Sequence, residues 1–166
     1  MRPCRNPATD RTRGAFIMDF RQVLRDACIS LCLKSETKEE IVAEMVDLLV
    51  SAGQVKDRDA AFEAVMERER QMSTGMQHGV AIPHGKTDKL DNMAVALGLK
   101  PEGLDFEALD GEPSRIFIMT VSSKLRAGPH IQFLAAIGKV LNSASVRQRL
   151  LQAGSEEEIR EILCEE

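Results

Sequence analysis

Three histidines, His78, His84 and His130, are the imidazoles of a 166-residue chain, and one of them is placed as a reactive group would be. His84 closes the run Val80-Ala81-Ile82-Pro83 and is followed by Gly85. Residues 80–82 read as a short buried strand, and Pro83 keeps Ile82 out of the α region, so the chain is still extended when it reaches the imidazole. Gly85 has no Cβ to obstruct an approaching partner and permits positive φ, which places His84 at a rim. A neutral imidazole nitrogen there is a nucleophile that another molecule's phosphoryl group could reach. His130 follows Gly128-Pro129, where proline suits a first helical turn and the free N–H groups and positive dipole end favour an anion. Arg68 lies in the charged end Glu67-Arg68-Glu69-Arg70 of a predicted helix; taken alone it reads as solvated charge. His78 reads as a rim residue. A metal site made of His78, His84 and His130 is the weakest reading, because no carboxylate or thiolate accompanies them at a recognisable ligand spacing.

Composition limits what can surround these groups. With 43% hydrophobic residues, 29% charged and a net charge of −4, the chain suffices for one domain with a core and is too acidic for a default nucleic-acid binder. No apolar run approaches the roughly 20 residues of a membrane span, so neither membrane insertion nor secretion is expected, and the cytoplasm is the natural compartment. The four cysteines then favour free thiols, with Cys28 and Cys32 expected to be buried.

The elements that must position the histidines follow from periodicity. Residues 1–17 carry Arg2, Arg5, Arg11 and Arg13 interrupted by Pro3, Pro7 and Gly14. They are expected to form a disordered extension, or to reflect a mis-called start ahead of Met18, with a single domain over 18–166. A helical turn is expected near Phe20, and a strand over 28–33. The spacing of Thr37 and Glu40 is that of a capping box, opening a helix whose stripe is Ile41, Val42, Met45, Leu48 and Leu49. Asp57 or Asp59 caps a second helix with the stripe Ala61, Phe62, Val65 and Met66. Residues 93–99 and 115–121 read as buried strands, with turns at 100–103 and 110–113. From Gly128 a helix is expected to bury Ile131, Leu134, Ala135, Ile137, Gly138 and Leu141. Two short helices, 145–153 and 155–164, complete the chain, the last with a capping box at Ser155.

Taken together, Arg68-Glu69, Ser73-Thr74-Gly75, Gly79-Val80-Ala81-Ile82-Pro83-His84-Gly85, Asp105-Phe106, Asp110-Gly111-Glu112-Pro113 and His130 ahead of an Ala-rich helix resemble, in order, the IIA components of the bacterial sugar phosphotransferase system, in the fructose, mannitol and nitrogen-regulatory class (EIIA type 2). The resemblance runs from about Phe20 to the C-terminus. It implies an α/β fold, a mixed β-sheet sandwiched by helices. It also implies that His84 carries the phosphoryl group, with His130 and Arg68 supporting it and no cofactor. The implied partners are a histidine phosphocarrier protein as donor and, as acceptor, either a IIB component or a regulated protein of the nitrogen type. Residues 122–128 depart from the proline-containing loop that many members have before the second histidine, and His78 stands where a small residue is more usual.

Overall fold

A computed structural model describes residues 18–165; the expectations for residues 1–17 lie outside the described residues. The elements, in chain order, are α1 (Phe20–Asp26), β1 (Cys28–Ser30), α2 (Lys38–Ser51), α3 (Arg58–Gln71), β2 (Val80–Ala81), β3 (His84–Thr87), β4 (Ala94–Leu104), β5 (Ser114–Ser123), α4 (Ala127–Leu141), α5 (Ala144–Gln152) and α6 (Glu156–Cys164). The sheet runs β1-β4-β5-β2, with β3 also paired to β5. β4 and β5 are antiparallel, and the other pairs are parallel. The sheet is therefore mixed.

Both faces of the central strands are covered, which is why 93–99 and 115–121 are almost uninterrupted apolar runs. In β5, Ile116 and Ile118 enter one core cluster with Phe133, Ile137 and Leu141 of α4 and Ile159 and Ile162 of α6. Phe117, Met119 and Val121 enter a second with Ile41, Met45 and Leu49 of α2 and Val65 of α3. The helices thus sandwich the sheet as expected.

Local signals account for most boundaries. Thr37 and Glu40 form the reciprocal capping box at α2, and Asp57, not Asp59, caps α3 by accepting from Ala60 N–H. Ser155 caps α6 through Glu158 N–H. The Glu158 carboxylate, however, accepts from Gly154 N–H at 2.8 Å, so the box expected there is shifted by one residue.

Four expectations change. β1 ends at Ser30 because the next amides turn away: Leu33 N–H donates to Leu99 O at 2.7 Å, and those of Lys34 and Ser35 donate to the Glu44 carboxylate. Cys32 is consequently exposed and Cys28 half-buried, both as free thiols. The turn expected at 100–103 is instead the outer half of β4, which passes a register shift between Leu99 and Leu104 and uses Gly103 at φ +79. α4 buries His130, Phe133, Ile137 and Leu141, whereas Ile131 is 61% exposed. Its first turns are rotated from the expected stripe because the inward position is held by a histidine.

The fourth concerns Gly85, whose φ is not positive. A Cβ there would lie 2.5 Å from the Ala64 carbonyl carbon and 2.6 Å from the Val65 nitrogen. Glycine is needed because α3 packs directly onto β3, not to admit a partner. Backbone cannot yield as a side chain can, so Gly85→Ala should lower stability by about 3 kcal/mol or more. Chemical denaturation would measure this; an unchanged midpoint would show that the helix and strand are not this closely packed.

Candidate phosphoryl-transfer site

β3 alternates a half-buried His84 and Lys86 with a buried Gly85 and Thr87. Gly85 faces α3, so His84 and Lys86 project to the opposite, α4 side of the sheet. Their register partners on β5 are Thr120 and Ser122, which share parity with Ile116 and Ile118 and therefore face α4 too. The apolar face becomes polar at the end of β5 that meets the start of α4. The fourth residue of α4 is His130, buried at 3% exposure, and its ring centroid is 5.5 Å from that of His84 with the planes at 56°.

Each imidazole has one nitrogen engaged. His84 Nδ1 is 2.8 Å from Ile82 O. A carbonyl only accepts, so in the neutral ring the proton is on Nδ1 and the Nε2 lone pair is free. Burial lowers the His84 pKa below its ordinary 6.5; the bond to Ile82 opposes this, and the charges of Arg68 and Lys86 add to the lowering. His130 Nδ1 is 2.7 Å from Ser122 Oγ. Its pKa falls to about 4, chiefly by burial, then through the charges of His84 and Lys86. Both rings are therefore neutral at pH 7.

Arg68 stands at the C-terminal end of α3 and donates from Nη1 to Met72 O at 3.0 Å. The following turn is pinned by Glu69, a carboxylate at 5% exposure. Glu69 accepts from Thr74 N–H at 3.0 Å and from the Thr74 hydroxyl, and it pairs with Lys38 Nζ at 2.8 Å. Lys38 also pairs with Glu107 and lies 4.8 Å from the Phe106 ring centroid. A charge this deep is tolerated because its oxygens are occupied. The turn is then tied to the strand that leads to His84: Ile82 N–H donates to Thr74 O at 3.0 Å and Met76 N–H to Val80 O at 2.7 Å. Arg68 and His84 thus belong to one braced unit.

The structure brings His84 and His130 together with Arg68 within electrostatic reach, and leaves His78 apart. His78 is exposed in a left-handed turn at φ 63, with its N–H held by the Asp110 carboxylate at 2.8 Å. Among the described residues no group of three His, Cys, Asp or Glu side chains could hold a metal ion, so the three-histidine metal reading finds no support. Sequence reasoning missed Lys86, Thr120 and Ser122. The signal was present in the even positions 116, 118, 120 and 122, had β5 been extended beyond Val121 and 84–87 been read as a strand. Thr120 Oγ1, buried and in register with His84, has no hydrogen-bond partner among the described residues.

Residues 22–166 match the family described as phosphoenolpyruvate-dependent sugar phosphotransferase system, EIIA 2. The chain belongs to this EIIA family. It is 39% identical over 149 residues to the fructose-specific EIIA component of Haloferax volcanii, covering 90% of this chain and 97% of that protein. It is 37% identical to the fructose-specific EIIABC component of Bacillus subtilis, where the match covers 88% of this chain but only 23% of that protein's length. Among solved structures, the nitrogen regulatory protein IIA-Ntr of Neisseria meningitidis superposes with a TM-score of 0.80 at 27% identity, covering 86% of this chain and 99% of that one. The Escherichia coli mannitol IIA, solved in complex with phosphorylated IIB, gives a TM-score of 0.70 at 28% identity over 84% of this chain and 95% of that one. EIIA proteins are phosphoryl carriers of the phosphotransferase system. Among the described residues no helix of this EIIA is long and apolar enough to cross a membrane.

Proposed function

We propose that this EIIA accepts a phosphoryl group on His84 from a histidine phosphocarrier protein and passes it to a IIB component, acting in the cytoplasm without metal or other cofactor. The observation that carries the reading is the His84 Nδ1 bond to Ile82 O, facing His130. It leaves Nε2 as an unprotonated nucleophile in a fixed orientation.

In the transfer, the Nε2 lone pair forms a bond to phosphorus as the donor's N–P bond breaks in line. The donor imidazole keeps the electron pair of that bond and leaves neutral, its other nitrogen already bearing a proton. His84 is then a phosphorylated imidazolium whose Nδ1–H stays on Ile82 O, and attack by the next acceptor on phosphorus reverses the same steps. The chemistry is mostly positioning and charge stabilisation. Arg68 and Lys86 supply positive charge, His130 supplies a hydrogen bond from Nε2, and the N-terminus of α4 adds a favourable dipole.

The fructose-specific relatives favour sugar transport; the IIA-Ntr likeness supports a second reading, in which the phosphorylation state of His84 controls a binding partner. A reconstituted relay from phosphoenolpyruvate, with a fructose-type IIB added last, tests the first. Rapid discharge of labelled EIIA to IIB is expected. Label that enters the EIIA but is not discharged to IIB would favour the regulatory reading.

A further inference from the structure

Ser122 Oγ lies 2.7 Å from His130 Nδ1, and both residues are buried, at 2% and 3% exposure. Among the described residues that ring nitrogen is the partner of the hydroxyl. Ser122 brings one O–H donor, and a neutral imidazole brings one N–H and one lone pair. Were Nδ1 the protonated nitrogen, it would donate to Oγ and the hydroxyl proton would have no acceptor among the described residues. With the serine donating to the Nδ1 lone pair, both groups are satisfied and the imidazole proton must be on Nε2. Because Nδ1 is occupied, Nε2 is also the nitrogen left for a phosphoryl oxygen. The low proton affinity of the buried His130 ring agrees with a neutral, single-proton imidazole.

We propose that Ser122 is a positioning residue that holds the proton of His130 on Nε2, so that His130 meets the phosphoryl group as a hydrogen-bond donor; the kinetic part of this rests on the phosphocarrier role proposed for His84. The lock also shapes the wait for a partner. In the other tautomer a lone pair, not an N–H, would face the incoming anion and repel it.

Nitrogen-15 NMR of the imidazoles in the unphosphorylated EIIA near neutral pH reads the tautomer directly. The expected result is His130 protonated at Nε2 in the wild type, a shift toward a mixture with Nδ1–H in Ser122→Ala, and restoration in Ser122→Thr. Transfer to and from Ser122→Ala should slow by about tenfold, the order expected for one neutral hydrogen bond, whereas the double variant Ser122→Ala/His130→Ala should be no slower than His130→Ala alone. An Nδ1–H tautomer in the wild type overturns the proposal whatever the variants do. So does a tautomer unchanged by Ser122→Ala, or an equal slowing in the His130→Ala background. If the relay fails to label wild-type EIIA at all, the phosphocarrier reading fails while the tautomer result stands by itself.

Discussion

His84→Ala EIIA, given phosphoenolpyruvate, the first enzyme of the system and the histidine phosphocarrier, is expected to acquire no acid-labile label. The loss should be complete because no other imidazole on the site is equipped to replace it. His130 has its Nδ1 committed to Ser122, leaving Nε2 as a donor, and His78 is anchored in a separate exposed turn. The companion expectation concerns pH. Burial holds His84 below its ordinary pKa of 6.5, so its nucleophilic neutral form persists as pH falls through 6.5, where an unperturbed imidazole is half protonated. Acceptance from a pre-phosphorylated phosphocarrier should therefore fall to half its neutral-pH rate only below pH 6.5. A half-loss centred at 6.5, once the donor's own titration is separated, would mean that the burial seen at His84 does not govern its charge.

His130→Ala and Arg68→Ala should leave the acceptor in place and remove its support. Each loses one charge-directed contact to the moving phosphoryl group, worth about 2–4 kcal/mol of transition-state stabilisation, or 10²–10³ in rate. The two differ in their side effects. His130→Ala also opens a cavity at the start of α4, so its melting temperature should fall, whereas Arg68 is half-buried at the end of α3 and its side chain donates to the Met72 carbonyl, outside both core clusters; Arg68→Ala should fold with near wild-type stability. Stopped-flow transfer rates in both directions, alongside thermal melts, separate chemistry from folding. Wild-type rates in a folded variant would remove that residue from the site.

Much of this site was legible in sequence because local rules decide it. Proline before His84 fixes an extended approach, Gly128-Pro129 announces a helix start that presents His130, and the capping residues Thr37 and Asp57 set the helices that cover one face. What escaped was set by contacts between segments distant in the chain. Gly85 looked like an opening for a partner, and only the passage of the Ala64 backbone beneath it reveals a packing constraint. The stripe of α4 holds at Ile137 and Leu141 but not in the first turns, where His130 and Phe133 take the inward positions and Ile131 is exposed. Lys86 and Ser122 carry no motif; they become site residues through the β3–β5 pairing, which places them in register. Glu69 was part of a recognisable Arg-Glu pair, yet its role as the buried brace of the 73–75 turn depends on Lys38, thirty-one positions away.

The most direct measurement is the identity of the phosphorylated atom. Phosphorus-31 and nitrogen-15 NMR of freshly phosphorylated wild-type EIIA should show a single phosphohistidine at position 84, bonded through Nε2, with Nδ1 still protonated on Ile82 O. Phosphate on His78 or His130, or on Nδ1 of His84, would contradict the geometry from which the mechanism is built.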